Sequence, residues 1–400
     1  MTNRRKFLGA TAAVGAASVG PWFIRDLHAQ TNTIRIGVPT AITGTWAALG
    51  AQVVRTCRLW AKDLNAKGGI DGRQIELVVE DTQGTPANCL RKAEEMVQKG
   101  RINLLLGVVV SSEALAVLPK LAEWNAMFVS SINGAGSITA KDYVPNMFRA
   151  NTSGPMGART IALWLEDTPQ KEFFSLSLDY AWGHSSVATF EKLITGAGKN
   201  AAGKVFAPTG TKDYSTYIAR IRQANPQALY VALAGDDATA FFKQAGQYKL
   251  GEKIQIVTET VDLLNIKPVG DSSIGIVGST RYTFSYDNPI NNAFVKTFQA
   301  EYKEVPDTWD GEQWQACQFL EAAIRKAKST ETGALVKSLE GMELQTVKGR
   351  VVMRACDHQA EQQGFVVRVG KRDGFSHPVP EVLKTYPANR VTPGCRLDSY

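Results

Sequence analysis

The stretch "NAKGGIDGRQIELVVEDTQGTP", residues 65–86, carries the information that decides the fold. A helical pattern stops at Gly68-Gly69, a helix-ending pair. A tight turn follows at Asp71-Gly72. "IELVVED" then reads as a β-strand ending in Glu80 and Asp81, and Thr85-Pro86 announces the next helix, with Thr85 as cap and Pro86 in the first turn. Helix, turn, strand and helix joined by short links are the repeating unit of a parallel α/β sheet. In such sheets the acids at the strand's end lie at the carboxyl edge, where ligand-facing loops gather.

Working outward, the unit repeats. "TIRIGVPTAITGT" opens with a β run and a turn-rich loop, and "WAALGAQVVRTCRLWAKDLNAKGG" follows with apolar residues at helical spacing. After the helix "TPANCLRKAEEMVQKG", "INLLLGVVV" reads as a near-continuous apolar strand of the kind buried on both faces. "SSEALAVLPKLAEWN" is the next helix and "AMFVSSI" the next strand. The pattern restarts with the helical "MGARTIALWLEDT", the strand and loop "EFFSLSLDYAWG", and the helical "HSSVATFEKLITGAGKN". Strand–helix alternation then continues to "IQIVTETVDL". "GIVGSTRYTFSYD" gives a further strand, two long helical stretches reach Lys328, and the C-terminal part has β character. Two α/β lobes of similar size, sharing the later material, are expected.

Four hundred residues favour two domains over one core. The N-terminus stands apart. Arg4-Arg5 precedes Lys6-Phe7-Leu8, an Ala/Gly-rich apolar run and a small-residue cleavage site near Ala29, so residues 1–29 read as an export signal of twin-arginine type. Its loss removes Arg4, Arg5, Lys6 and Arg25 with Asp26, and the net charge falls from +7 to +4. That modest basicity is scattered, with no basic stripe interleaved with aromatics, which argues against nucleic acid as a partner. An exported chain meets an oxidising compartment. Cys356 and Cys395, both in the last segment, are the expected disulfide; Cys57 and Cys89, on the first two expected helices, are a second candidate pair. Cys317 sits in an apolar helical run as a buried thiol. No CxxC spacing occurs and the histidines do not cluster with cysteines, so no metal is expected.

Catalytic signatures are missing. There is no GxGxxG after the first strand, no GxxxxGK[ST] loop and no GxSxG elbow. Asp236-Asp237 and Glu80-Asp81 are adjacent acids at expected strand ends, more natural as loop carboxylates than as an acid/base pair. The expectation is a binding protein rather than an enzyme, with no cofactor.

"IRIGVPTAITGTWAALG", "DLNAKGGIDGRQIELVVEDTQGTP", "LLLGVVVSSEALAVLP" and "ALYVALAGDDATAFFKQAGQ" together resemble the periplasmic solute-binding proteins of the branched-chain amino acid (Leu/Ile/Val-binding) ABC transporter family. The likeness spans essentially the whole mature chain. It implies the type I periplasmic binding protein fold: two doubly wound parallel-sheet lobes joined by a three-crossover hinge. Lobe I is expected at 31–150 and 278–355, lobe II at 151–277 and 356–400. It also implies a monomer in the periplasm, a ligand in the cleft, and hand-off to an ABC transporter permease after export by the twin-arginine translocon.

The family's site carries over unevenly. A serine after the third strand holds the ligand carboxylate in the family; Ser111 matches it, with Ser112 beside it, and hydroxyls and N–H groups at a helix start favour an anion. In the next loop Ile132 falls at a backbone-binding position, and Gly134 stands where the family has threonine. Trp182 in "DYAWG" takes an aromatic position, Ala234 replaces another aromatic, and Glu259 falls one residue from the family's ammonium-binding glutamate. The α-amino-acid clamp is thus incomplete. Trp46 on the first loop and Trp182 would wall the cleft, Asp236 and Glu259 would receive a cationic or hydroxyl group, and Tyr282 would line the hinge side. Burying one aromatic ring of roughly 150–250 Å² is worth about 4–6 kcal/mol, against about 0.3–2 kcal/mol for a carboxylate at a helix start. Apolar walls would then carry affinity and the serines ligand class. The leading function is the extracytoplasmic solute-binding component of an ABC importer, taking a small carboxylate-bearing ligand, either an amino acid or an aromatic or aliphatic acid. The alternative is a periplasmic ligand sensor of the same fold feeding a signalling receptor, and a third reading is an exported enzyme with a bound cofactor.

Overall fold

The computed structural model describes residues 33–397; the expected export signal at 1–29 lies outside the described residues. The first sheet contains β1 (Thr33–Thr40), β2 (Gln74–Asp81), β3 (Leu104–Leu106), β4 (Met127–Ser130) and β5 (Met147–Arg149). All are parallel, in the order β2-β1-β3-β4-β5. Between them run α1 (Ala47–Ala66), α2 (Pro86–Glu94) and α3 (Ser111–Val117). Val53, Cys57, Trp60 and Leu64 of α1 recur every three to four residues, so one face of the helix is buried in the core shared with Ile36 and Val38 of β1.

The chain then enters α4 (Gly154–Leu165) and a second series: β6 (Glu172–Leu178), α5 (Ala181–Gly196), β7 (Asn200–Ala207), α6 (Ser215–Ala224), β8 (Ala228–Ala232), α7 (Gly235–Gln247), β9 (Gln255–Thr258), α8 (Leu263–Val269) and β10 (Val277–Thr280). It returns as α9 (Pro289–Tyr302), α10 (Thr308–Ala327) and α11 (Thr332–Leu339), followed by a small antiparallel sheet of β11 (Glu343–Thr346), β12 (Gly349–Met353) and β13 (Ala360–Glu361). β14 (Gly364–Gly370), β15 (Val379–Tyr386) and α12 (Ala388–Val391) close the described chain. The second sheet is ordered β15-β14-β10-β9-β8-β6-β7. Its five parallel strands repeat the 2-1-3-4-5 order of the first sheet, so each sheet reverses strand order once, between β1 and β3 and between β6 and β8.

Several local expectations are corrected. "INLLLGVVV" is a strand only over Leu104–Leu106, because Gly107 turns to φ +86°, where a Cβ would lie 2.7 Å from Val38 and 2.9 Å from Val53. Thr85 sits at the N-cap of α2 but its hydroxyl turns back to the Thr82 carbonyl. β10 lies wholly in the second sheet, so the return to the first lobe falls after Thr280, not before Gly278. The last passage falls between Glu361 and Gly364 rather than at 355/356, since β13 still pairs with β12 and Gln359 bridges to Arg149. Cys356 and Cys395 are disulfide-bonded as expected. Cys57 and Cys89 are not paired: Cys57 packs with Leu104 and Leu106 on one face of the first sheet, Cys89 with Leu105 and Phe128 on the other. The thiol beside Cys57 is that of Cys317 on α10, and this contact and burial push the Cys57 pKa up.

Two buried charge sets sit at the crossing region, and the first ties the lobes. The Asp307 carboxylate, at the N-cap of α10, accepts from the N–H groups of Leu263 and Leu264 on α8 and from Gln52 on α1. Lys348 donates to Glu312 of α10 at 2.8 Å, both side chains wholly buried.

Asp81 explains why β2 ends in acids. Its carboxylate accepts from the backbone N–H groups of Ile42, Thr43 and Gln83 and from the Thr43 hydroxyl, fastening the loop after β1 to the end of β2. Burial tends to raise its pKa, but the Thr43 hydroxyl and these N–H groups bring it down to about 2. A depressed folded-state pKa stabilises above the unfolded value and that contribution fades as pH falls through about 2. Asp81→Ala is expected to cost about 2 kcal/mol in urea unfolding at pH 7, with the difference from the parent shrinking as the pH is taken below 3.8; an undiminished difference at pH 2 would show that the loss has another origin.

Candidate functional site

The two strand-order reversals face each other across one cleft, and the loops leaving them converge on a single small cavity. It is lined by Trp46, Leu49, Val109, Ser111, Ile132, Gly134, Tyr180, Trp182, Ala234, Arg281 and Trp309. Trp46 stands at the start of α1, beyond the loop that Asp81 holds. Val109 and Ser111 follow β3, Tyr180 and Trp182 follow β6, and Ala234 follows β8. The free space is about 20 Å³, room for about one water molecule, so the lobes lie closed over it. Larger recesses of 340 and 550 Å³ are open grooves on the second lobe, bordered by exposed charged side chains such as Lys249 and Glu252, or Lys212 and Lys243.

The floor is built around Ser111. Its Oγ accepts hydrogen bonds from the N–H groups of Gly134 and Ala135, both at 3.1 Å. With both lone-pair positions engaged, the hydroxyl has only its proton to offer to a ligand. At the start of α3 the Glu113 carboxylate accepts from Val110 N–H at 2.9 Å. Burial raises the Glu113 pKa to about 7. The Ser111 hydroxyl is the side-chain donor that favours an anion here.

Gly134 has a steric reason to lack a side chain. A Cβ there would lie 2.3 Å from Trp182 Cδ1 and 2.8 Å from Arg281 Nη2, distances that neither group tolerates. The Trp182 indole thus rests on the first lobe's backbone while its Nε1 donates to Glu259 at 2.8 Å. Trp46, Tyr180 and Trp182 form a tilted series with centroids 5.7 and 5.9 Å apart. The wall is continuous aromatic surface across both lobes.

Arg281, just past β10, reaches into this box. It is 3% exposed, donates from Nη1 to the Ile132 carbonyl at 2.7 Å, and lies 3.9 Å from Glu259. Its guanidinium is over Trp309 at 5.2 Å and Trp182 at 6.0 Å. Its Nε has no hydrogen-bond partner. Glu259 is fully buried; burial raises its pKa, opposed by Arg281 and by bonds that include those from Tyr230 and Trp182. The Tyr230 hydroxyl donates to its second oxygen at 2.6 Å.

Of the residues singled out from sequence, Ser111, Ile132, Gly134, Trp182 and Trp46 come together at the cavity. Glu259 stands behind Trp182 as its partner rather than on the wall. Ser112 neighbours Ser111 but does not line the space. Asp236 is corrected: it is exposed on α7 beside Lys212, and it is Asp237 that turns inward, to Gly210 N–H and the Tyr214 hydroxyl. Tyr282 is corrected too. Its ring packs against Gly311 and its hydroxyl donates to Asn291, away from the cleft. Sequence reasoning passed over Arg281, Tyr180 and Trp309. Tyr180 lies inside "DYAWG", and Arg281 immediately precedes Tyr282. Among the described residues, the one cluster of three metal-ligand types is Cys356, Asp357 and Cys395, whose cysteines are disulfide-bonded.

Comparison with known proteins agrees with this architecture. The chain is 23% identical over 366 residues to the Leu/Ile/Val-binding protein homolog 6 of Brucella suis, covering 88% of this chain and 92% of that one. It is 23% identical over 325 residues to the leucine-, isoleucine-, valine-, threonine- and alanine-binding protein of Pseudomonas aeruginosa, covering 80% and 85%. Among solved structures it resembles a solute-binding protein of an ABC transporter from Rhodopseudomonas palustris BisB5 in complex with 3,4-dihydroxybenzoic acid, with a TM-score of 0.84, 21% identity, and coverage of 89% and 98%. Another from R. palustris, in complex with benzoate, gives a TM-score of 0.80, 23% identity, and coverage of 87% and 95%. The sequence profile of the periplasmic binding protein family matches residues 33–374, and the chain, with its two facing α/β lobes, belongs to that family.

Proposed function

We propose that this chain is the extracytoplasmic solute-binding component of an ABC importer and that it closes its two lobes on a small carboxylate-bearing ligand. The observation that carries the reading is the cavity itself. Two unspent donors, the Ser111 hydroxyl and Arg281 Nε, stand in a closed aromatic box where the two sheets' reversal points meet. A carboxylate accepts from both, and once the lobes part to admit it an apolar body lies between Trp46, Tyr180, Trp182 and Trp309. Ile132 supplies its carbonyl to Arg281, Gly134 gives the room that Trp182 needs, and Glu259 fixes both Trp182 and Arg281. The names of similar proteins, amino-acid binders and aromatic-acid binders alike, support the carboxylate. The twin-arginine pattern at residues 4–8 supports delivery to the periplasm through that translocon, and the family supports a monomer that meets an ABC permease.

The closed cleft has no room for a ring, so binding requires the lobes to part and close again by hinge motion at the crossing strands. In a thermal-shift screen of residues 30–400 against amino acids, aromatic acids and aliphatic acids, a matching ligand at about 100 times its Kd is expected to stabilise the chain by ~2.7 kcal/mol. Small-angle scattering should show compaction with the same ligand. No stabilisation by any carboxylate, after unfolding and refolding to strip bound solute, would contradict the reading.

Gly134→Ala is expected to displace the Trp182 indole at a folding cost of about 1–3 kcal/mol and to abolish the ligand-induced shift. Retention of full ligand stabilisation by this variant would remove Gly134 and Trp182 from the site.

A further inference from the structure

The cavity is unusual in what it withholds. A zwitterionic amino acid needs donors for its carboxylate and acceptors for its ammonium. The donors are present, but each acceptor beside them already holds a donor of the protein's own. The Ile132 carbonyl receives Arg281 Nη1 at 2.7 Å. The Gly134 carbonyl receives Gly154 N–H at 2.7 Å. Glu259 receives Trp182 Nε1 and the Tyr230 hydroxyl, one on each oxygen, with Arg281 Nη2 3.9 Å from the first. The guanidinium of Arg281 therefore occupies the place that a ligand's ammonium would have to take, between a backbone carbonyl and the buried glutamate.

Building on the carboxylate reading above, we propose that Arg281 is the specificity-determining residue of this site: it stands in for the ammonium of a bound ligand, so that the protein selects small apolar or aromatic carboxylic acids without an amino group and rejects the corresponding α-amino acids. Electrostatics points the same way. Arg281 is the buried cation that faces the cavity, and the carboxylate beside it, Glu259, is already held by Trp182 and Tyr230. A ligand ammonium would come to rest beside the guanidinium with no free carboxylate to meet it, and burying an unpaired charge is heavily disfavoured. A ligand carboxylate meets Arg281 Nε and the Ser111 proton instead, and its uncharged body meets Trp46, Leu49, Val109, Trp182 and Trp309.

Matched pairs test this. Isothermal titration calorimetry on residues 30–400 would compare 3-phenylpropanoate with phenylalanine and 4-methylpentanoate with leucine, with benzoate and 4-hydroxybenzoate as further probes. At least one deaminated acid is expected to bind roughly 100-fold or more tightly than its amino acid. Amino acids binding as tightly as or more tightly than their deaminated partners would overturn the proposal while leaving the carboxylate-binding reading intact. No binding by any acid or amino acid would overturn both. Arg281→Met keeps an unbranched stem as far as the Nε position and removes the guanidinium charge. It is expected to weaken binding of the preferred acid roughly 100-fold and to narrow the acid-to-amino-acid ratio by at least about tenfold, because the Ile132 carbonyl loses its donor and Glu259 its counter-charge. Unchanged acid affinity in a folded Arg281→Met variant would overturn the proposal, and if that variant does not fold, the wild-type ratio decides alone.

Discussion

The cleft depends on holding one guanidinium out of water. Arg281 is almost wholly buried between two aromatic rings, and a buried cation is tolerated only where its charge and hydrogen bonds are answered. Glu259 answers the charge, and the Ile132 carbonyl answers one of its donors from the opposite lobe. Each partner imposes its own requirement. Glu259 must be held by Tyr230 and Trp182, and it packs against Gly157, where a Cβ would come within 2.9 Å. Trp182 must lie flat, so Gly134 and Gly154 can carry no side chain. The small residues at the first crossing and the aromatics of the second lobe are thus parts of one arrangement around a charge.

The same arrangement couples binding to motion. Arg281 stands at the end of β10 in the second sheet and bonds to a loop of the first. Trp46 and Tyr180 meet across the cleft, and Gly136 N–H reaches the Ser185 hydroxyl. These contacts cross the cleft in this closed arrangement, while Asp307 and the Lys348–Glu312 pair hold the crossing region. A ligand that completes the hydrogen bonding of Arg281 and Ser111 favours the closed state over the open one, which is what ligand-driven closure requires.

Much of this was legible in the sequence. The Gly-Gly stop, the strand ending in Glu80 and Asp81 and the Thr85-Pro86 start dictated a parallel α/β sheet, and apolar spacing located α1 and the two long helices α9 and α10. Ser111 and Trp182 could be found because strand ends in such sheets face the ligand. What was hidden depended on single-residue direction. Successive residues at the end of an extended strand point to opposite sides, so Arg281 enters the cleft while Tyr282, its neighbour, packs into the helices beside α9. Asp236 and Asp237, successive residues on the first turn of α7, point about 100° apart, one to solvent and one inward. Cys57 and Cys89 lie on helices adjacent in sequence but on opposite faces of the sheet, which spacing alone does not reveal. Gly134 looked like a lost ligand contact, and its absent side chain is instead what allows Trp182 to close the box.

The most direct test is a crystal structure of the mature chain, residues 30–400, with a tightly bound carboxylic acid. The account predicts closed lobes, a carboxylate oxygen within hydrogen-bonding distance of both Ser111 Oγ and the Arg281 guanidinium, and the ligand's body against Trp46, Trp182 and Trp309. A ligand bound outside this cleft, or one seated in it with Arg281 displaced into solvent and Glu259 turned to the ligand, would contradict it.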